Sequence, residues 1–246
     1  MRYFLEVAYK GTNYSGFQSQ KNANTIQAEI QKAFKTILKK ELELTGSSRT
    51  DAGVHAYQNY FHFDVERELS PQLLYNLNAI LPDDIAIRNL RKVKQDDHCR
   101  FDAISREYKY HIYQRKNPFL TDKAFYFPYK LDFDLMQRAA SMVPEYADFT
   151  SFSKRNTQVK SFVCDIKESK WLVHDERLIY HVKANRFLRG MVRALTATML
   201  KVGRGKIDLS GFKNIIEAKD CTLANFAVPA HGLFLTEVCF PEKYFH

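Results

Sequence analysis

The sequence predicts an α/β (α+β) fold made of two similar α/β halves, and two observations lead to that class. Segments with the period-two pattern of a strand alternate along the chain with segments that place apolar residues at helical spacing. The 246 residues are 45% hydrophobic, which is enough apolar material for one large core or two modest cores. No long linker separates the halves, so we place the boundary near Ala103, with domains of residues 1–103 and 104–246.

The first half is predicted to contain four strands and two helices. The strands cover residues 2–10, 41–45, 57–65 and 85–93. Asn24 is expected to cap the first helix, because Gln27 follows it by three residues and an apolar stripe begins beside it. That stripe consists of Ile26, Ile30, Phe34, Ile37 and Leu38. The second helix begins at Ser70-Pro71, where proline suits a first turn. Its predicted buried face consists of Leu74, Leu77 and Leu81.

The second half is predicted to repeat this alternation. Strands are expected at residues 104–113, 161–173, 178–184 and 232–240, and helices at 134–143 and 187–202. Arg186, Arg189 and Arg193 step by three and four residues, so they are expected to line one strip near the start of the last helix. Such a strip is suited to phosphate groups, although many charged strips are simply solvated faces.

The strand at 104–113 is rich in tyrosine. Its period of two places Arg106, Tyr108 and Tyr110 on one face. A tyrosine at the open end of that face is suited to stacking on an unpaired base. For Tyr110 the sequence favours a place in the core of the sheet.

Net charge indicates the kind of partner. The chain carries 37 Lys and Arg against 28 Asp and Glu, a formal charge of +9, and its pI is about 9.2. This balance favours a polyanion such as nucleic acid, although a protein can also be basic without one. The four cysteines form no Cys-x-x-Cys pair, the N-terminus lacks a secretory pattern, and no apolar run reaches spanning length. We therefore expect a cytoplasmic protein with no metal site.

Asp51 is the candidate nucleophile. It lies in a polar turn between two predicted strands, with Arg49 two residues before it and Gly53 two residues after it. Arg49 favours the charged carboxylate, and Gly53 allows the backbone to approach a ligand closely. An ionised aspartate in a cleft can attack an electron-poor carbon or accept a proton. The alternative is an ordinary turn aspartate that bonds its own backbone.

Six ordered motifs span nearly the whole chain. RTDAGVHA occupies residues 49–56, and an N-terminal pattern consists of YKG at 9–11, YSGFQSQ at 14–20 and TIQ at 25–27. The others are REYKY at 106–110, DFTSF at 148–152, FLRGMVR at 187–193 and PAHGL at 229–233. Together these motifs resemble those of the TruA family, the tRNA pseudouridine synthases that act on the anticodon stem-loop. RTDAGVHA resembles the catalytic motif of that family.

The chain departs from the family pattern at a few positions. Lys10 stands where the family commonly has Asp, Phe17 where Trp is usual, and Ser48 where a glycine usually precedes the arginine. The family's Gly-x-Thr before the C-terminal Pro-Ala is also missing, and residues 225–227 read Asn-Phe-Ala instead. None of these changes removes a catalytic group. Lys10 adds charge near a surface that is expected to meet RNA.

The resemblance implies that this chain isomerises uridine to pseudouridine at positions 38, 39 and 40 of tRNA, without a cofactor. Asp51 would be the nucleophile, acting on C1′ or C6, or assisting as a base. Tyr108 would stack on the uracil, Arg193 would pair with Asp51, Arg49 would hold the flipped nucleotide or the vacated stem, and Leu233 would wall the pocket. The family fold has mixed, largely antiparallel sheets and a central basic cleft, usually in a homodimer.

A basic surface for the tRNA backbone is expected from the remaining cations. The candidates are Lys10, Lys154, Arg155, Lys160, Arg186 and Arg189. Lys154, Arg155 and Lys160 belong to a polar stretch, residues 154–160, that is predicted to be a loop.

Three other functions remain open at this stage. A non-catalytic RNA-binding or tRNA-folding protein would use the same basic and aromatic surfaces. A metal-dependent hydrolase could be built from Asp51, His55 and His62, but these residues lack a recognised ligand spacing. Another pseudouridine synthase family with a different RNA target would share the aspartate without the surrounding motifs.

Overall fold

The computed structural model describes residues 1–155 and 159–244, apart from the side chain of residue 243. The chain forms two compact units. Unit 1 contains residues 1–104 and the segment from Phe234 onward, and unit 2 contains Ser105–Leu233. The sequence-based domains differ from these units in one respect. The last strand was grouped with the second half, whereas its pairing with an early strand brings it into unit 1.

Unit 1 is a mixed sheet with two helices. Its elements are β1 (Arg2–Tyr9), α1 (Ile26–Leu38), β2 (Thr45–Gly46), β3 (His55–Asp64), α2 (Leu73–Ile80) and β4 (Ile85–Val93). The last strand of the chain, Leu233–Cys239, is numbered β9 below and belongs to unit 1 from Phe234. The strand order in this unit is β4-β1-β3-β9, with β2 beside β3. Among the strand pairs described in unit 1, only β3–β9 is parallel.

The described residues of unit 2 form a mainly antiparallel sheet and three α-helices. Its elements are β5 (Ser105–Tyr113), β6 (Phe125–Tyr126), α3 (Phe133–Met142), β7 (Ile166–His174), β8 (Arg177–Ala184), α4 (Met191–Gly203) and α5 (Leu209–Glu217). β8 lies between β5 and β7 and is antiparallel to both, and β6 runs parallel to β5. The two units together have the α/β class that the sequence predicts. Within the described ranges, no helix combines the length and apolar character needed to cross a bilayer.

Helix α1 begins one residue later than the sequence indicates. Thr25 is the N-cap, and its side chain accepts a hydrogen bond from Ala28 N at 3.2 Å. The Asn24 carbonyl instead accepts from Ser15 N at 2.8 Å, which ties the preceding loop to the helix start. The predicted stripe is buried at Ile26, Ile30 and Phe34, whereas Ile37 and Leu38 are half-buried.

Of the strand predicted at residues 41–45, only Thr45 lies in a strand, where it is the first residue of β2. Leu42 and Leu44 are buried as the alternating pattern suggests. Their carbonyls, however, accept hydrogen bonds from the side-chain amides of Gln31 and Gln27 on α1, at 2.9 and 2.8 Å. Side chains of the helix therefore replace the ladder partners that a strand would need.

Helix α2 begins at Leu73 and not at Ser70-Pro71, and two of the three residues predicted for its buried face are buried. Leu73 and Leu77 are its buried residues and Leu81 is buried just after it, whereas Leu74 is only half-buried. The helix predicted from residue 187 begins at Met191, because Gly190 before it has φ +78°. Arg186 and Arg189 therefore precede α4, and the expected three-arginine helical strip does not form.

Two further differences lie in unit 2. Residues 161–165 are not part of β7, because Cys164 N and Phe149 N bond to Ala147 O and Phe162 O in a separate pairing. Helix α5 was not expected from the sequence. It is capped by the Asp208 carboxylate, which accepts from Gly211 N at 2.7 Å.

Candidate active site

Asp51 lies in the loop between β2 and β3 of unit 1. Its side chain is half-buried, its neighbour Thr50 is buried, and Arg49 is exposed. Val54 N donates to Asp51 O at 3.2 Å, and Gly53 takes φ +79°, a conformation that favours glycine. The loop therefore turns tightly just after Asp51, as the sequence predicts.

A buried hydrogen-bond network holds the residue before Asp51. The Tyr9 hydroxyl lies 2.8 Å from Thr50 Oγ1, and Asn59 Nδ2 donates to the Tyr9 oxygen at 3.2 Å and to Ser48 O at 2.8 Å. In the bond between Tyr9 and Thr50 either hydroxyl can be the donor. Burial raises the pKa of Tyr9 above its ordinary value, so this hydroxyl stays protonated.

The N-terminal motif supports the other side of the loop. Phe17 N donates to Thr50 O at 3.1 Å, so both the side chain and the carbonyl of Thr50 are fixed. Gly16 has φ +110°, and a Cβ there would lie 3.1 Å from the same carbonyl oxygen. This close approach explains why a glycine occurs beside the Asp51 loop.

Phe17, one of the departures from the family pattern, is fully enclosed. Its ring stacks on Phe61 with centroids 4.4 Å apart and contacts Tyr9 at 5.7 Å. Gly46 makes room for it, since a Cβ at that position would lie 2.4 Å from Phe17 Cε1. The phenylalanine thus packs the core beneath the loop.

His55 is a structural residue at the first position of β3. Its Nδ1 accepts a hydrogen bond from Gly11 N at 3.0 Å, and its side chain is buried. Gly11 is needed there because a Cβ would lie 2.0 Å from Val54 O. Burial lowers the pKa of His62 to about 4, and its Nδ1 lies 3.2 Å from Cys99 Sγ. In the described residues, no three His, Cys, Asp or Glu side chains are grouped to hold a metal ion.

In unit 2, Arg193 lies in the first turn of α4 and holds the segment before β9. Its Nε and Nη2 both donate to Val228 O, at 2.9 and 2.7 Å. Tyr110 donates from its hydroxyl to the next carbonyl, Pro229 O, at 2.7 Å. Two consecutive carbonyls are therefore held by two side chains from different elements.

Gly232 lies in the same segment and lets it approach β5 closely. A Cβ at Gly232 would lie 2.7 Å from Tyr110 Cζ and 3.0 Å from His111 O, so only glycine lets the segment pass so close to β5. Leu233 follows directly and is buried. Tyr110 is fully buried, as the sequence favours, and burial raises its pKa. Its bond to Pro229 was not expected, because the two residues are far apart in the sequence.

Tyr108 lies on β5 opposite Val182 of β8 and is 8% exposed. Its ring makes an edge contact with Phe187, with centroids 5.1 Å apart and planes at 84°. Arg106, on the same strand, donates from Nη1 to Asn185 O at 3.0 Å. The tyrosine motif and the FLRGMVR motif are therefore neighbours within unit 2.

The candidate RNA-binding cations differ in exposure. Arg155, Lys160, Arg186 and Arg189 are exposed, whereas Lys10 and Lys154 are half-buried. Lys154 N donates to Arg189 O at 3.0 Å, and its side chain packs over Gly190, where a Cβ would lie 3.1 Å from Lys154 Cγ. Residues 156–158 of the predicted loop lie outside the described residues.

Known proteins are similar to this chain over nearly its whole length. The profile of the tRNA pseudouridine synthase family matches residues 6–102 and 146–241. A tRNA pseudouridine synthase A of Parabacteroides distasonis is 42% identical over 246 residues, 99% of this chain and 98% of the relative. Proteins of that name from Bacteroides thetaiotaomicron and Staphylococcus aureus (strain MRSA252) are 43% and 38% identical, each over 99% of this chain and 92% and 93% of the relative.

Proposed function

Since this chain belongs to the tRNA pseudouridine synthase family, we propose that it isomerises uridine to pseudouridine in the anticodon stem-loop of tRNA. The target positions are 38, 39 and 40, and Asp51 is the nucleophile. The observation that carries the assignment is the fixed loop around Asp51. Thr50 is held by Tyr9 and Phe17, while the Asp51 carboxylate remains half-buried. A preorganised carboxylate of this kind is suited to attack a positioned substrate.

The reaction breaks the N1–C1′ glycosidic bond and forms a C5–C1′ bond after the base has turned. A proton leaves C5 and a proton is gained at N1, so the atoms balance with no oxidant, reductant or cofactor. A carboxylate oxygen of Asp51 can displace N1 from C1′ and be displaced in turn by C5, or it can add to C6 of the uracil ring and be eliminated after the base has turned. Asp51 can also assist the cleavage as a base. The uridine must first leave the stack, which costs a few kcal/mol that contacts to the phosphates offset.

Four further residues are proposed to bind the target nucleotide. Arg49 is exposed two residues from Asp51 and is suited to a phosphate. Tyr108 offers an aromatic ring for stacking on the uracil, and Leu233 offers an apolar wall. Arg193 is proposed to pair with the Asp51 carboxylate. The formal charge of +9 supports a polyanionic substrate. The exposed cations of unit 2 are proposed to contact the phosphates of the tRNA backbone.

The assembly and location are also part of the proposal. We expect a homodimer, which light scattering would detect as twice the chain mass of 28.8 kDa. All four cysteines are thiols, which is compatible with the reducing cytoplasm.

The function is tested by mapping pseudouridine in tRNA from a deletion strain and in tRNA treated with purified protein. Wild type should restore pseudouridine at positions 38–40. Asp51→Asn should abolish conversion and leave tRNA affinity within a few-fold, because it removes charge with little change in shape. Asp83→Asn is the matched control, since Asp83 is an exposed carboxylate of unit 1. Appreciable turnover by Asp51→Asn would overturn the nucleophile, and tight binding without wild-type turnover would favour a non-catalytic RNA-binding protein.

A further inference from the structure

A cavity of about 370 Å³ lies at the C-terminal end of α4 in unit 2. Its lining includes two aromatic residues, Phe125 and Phe127, which are called the aromatic floor below. Three cations, Lys201, Arg204 and Lys206, line it as well, and none of its lining residues is acidic. An aromatic floor beside several cations, without a carboxylate, is suited to a ligand that has both a flat ring and a negative charge.

The cationic edge is built by the turn that ends α4. Gly205 has φ +64° and donates from its N to Val202 O at 2.8 Å, and Lys206 N donates to Lys201 O at 2.9 Å. This pair of bonds is the Schellman arrangement, which reverses the chain and brings Lys206 back beside Lys201. The Arg204 guanidinium lies 4.0 Å from the centroid of the Tyr129 ring, which orients it.

The aromatic floor is also ordered. The rings of Phe125 and Phe127 have centroids 5.4 Å apart, and both residues are half-buried. Asn225 also lines the cavity; its N donates to Thr198 Oγ1 at 3.3 Å, and its Oδ1 accepts from Ala227 N at 3.0 Å. These bonds fix the Asn225 amide at the cavity wall, where it can contact the polar edge of a base.

We propose that this cavity binds an unpaired nucleotide of the substrate tRNA, separate from the uridine that is isomerised. The base lies against the two phenylalanine rings, and its phosphate lies among Lys201, Arg204 and Lys206. Single-stranded RNA is held by this combination of aromatic stacking and cations. The inference rests on the proposed function, because that function makes tRNA the ligand.

The position of Val228 gives the cavity a second role. Val228 lines the cavity, and its carbonyl accepts both hydrogen bonds from Arg193. A nucleotide bound in the cavity therefore packs against the same segment that Arg193 holds. Filling the cavity should order that segment, so a distant nucleotide of a correct tRNA supports the arrangement around Arg193.

Photocrosslinking tests the occupant directly. In the full chain, Phe127→p-benzoylphenylalanine is irradiated with tRNA transcript, and reverse transcription maps the crosslinked nucleotide. The proposal expects one unpaired nucleotide other than the target uridine. The same substitution at Tyr75, an exposed aromatic of unit 1, measures background. Three results would each overturn the proposal. They are crosslinking to a second copy of the chain, crosslinking to free uridine monophosphate but not to tRNA, and crosslinking at background level. If Phe127 does not tolerate the change, Phe125 carries the probe.

A charge variant provides the second measurement. Lys201→Gln/Lys206→Gln should weaken tRNA binding about tenfold and lower the slope of log affinity against log salt by about two. Lys32→Gln/Lys35→Gln on α1 removes the same charge from unit 1 and should have a much smaller effect. Equal losses in the two variants, or no loss, would contradict the site. If wild type converts no uridine, the proposed function fails. If it converts uridine and residue 127 contacts no RNA, only this inference fails.

Discussion

The Tyr9 hydroxyl lies 2.8 Å from Thr50 Oγ1, and this buried contact joins the end of β1 to the residue before Asp51. Asn59 on β3 donates to the same hydroxyl at 3.2 Å, so two adjacent strands hold the loop through one tyrosine. The position of the loop that carries Asp51 therefore depends on a buried tyrosine outside that loop.

Tyr9→Phe should slow isomerisation more than it weakens tRNA binding. The change leaves Thr50 Oγ1 and one Asn59 donor without their buried partner, which costs about 1–3 kcal/mol of stability. It also frees the loop, and small displacements of a catalytic group reduce rate strongly, so we expect about tenfold or more in single-turnover rate. The measurement is single-turnover conversion with saturating enzyme, alongside thermal unfolding.

Tyr3→Phe is the matched control for this prediction. Tyr3 lies on the same strand, is similarly buried, and uses its hydroxyl to accept from Leu69 N at 3.2 Å. It should lower stability while the rate stays near that of wild type. Equal rates in Tyr9→Phe and wild type would show that the network does not position Asp51.

Local patterns predicted most strands and the helix cores, because hydrophobic periodicity is a property of neighbouring residues. β4 has the predicted bounds, β8 begins one residue early, and α3 is shifted by one residue at both ends. The segment at 41–45 shows the limit of this approach. Its alternation correctly indicates that Leu42 and Leu44 are buried, but the amides that bond their carbonyls come from α1 and leave no trace in the local pattern.

The candidate site shows the same division. The turn around Asp51 could be predicted from a carboxylate and a glycine between two strands. The Tyr9 network and the bond from Tyr110 to Pro229 could not, because they join residues that are distant in sequence. The start of α4 was missed because Gly190 adopts a positive φ, which the surrounding apolar spacing does not reveal.

Arg193→Lys should reduce activity although it keeps the charge. The guanidinium donates from two nitrogens to Val228 O, whereas an ammonium is a single point donor with a different reach. We expect a loss of about 1–2 kcal/mol in stability and at least a tenfold loss in single-turnover rate. Arg138→Lys, at an exposed position of α3, is the control and should leave both unchanged. A wild-type rate for Arg193→Lys would mean that charge alone suffices.

Tyr108→Phe and Tyr108→Ala should separate stacking from proton transfer. Phenylalanine keeps the edge contact with Phe187 and the flat ring, so tRNA affinity should hold, while the rate falls if the hydroxyl moves a proton during loss of the C5 hydrogen. Alanine should reduce both rate and affinity. Tyr180→Phe on β8, whose hydroxyl lies 2.9 Å from Ser169 Oγ, controls for loss of a buried hydroxyl. An alanine variant with wild-type rate and affinity would make Tyr108 a core residue only.

Binding of tRNA should weaken steeply with salt, with a log–log slope of several units, because each neutralised phosphate releases counterions. Arg186→Gln/Arg189→Gln should lower that slope by about two if both exposed guanidinium groups contact phosphates. Lys167→Gln/Lys170→Gln on β7 is the matched control, because these lysines lie in exposed ion pairs with Asp165 and Glu168 in the same unit. Filter-binding titrations from low to moderate salt give the slopes. Equal slopes for the two double variants would remove Arg186 and Arg189 from the RNA-binding surface. A slope near zero for wild type would leave the charge of +9 without a role in binding RNA.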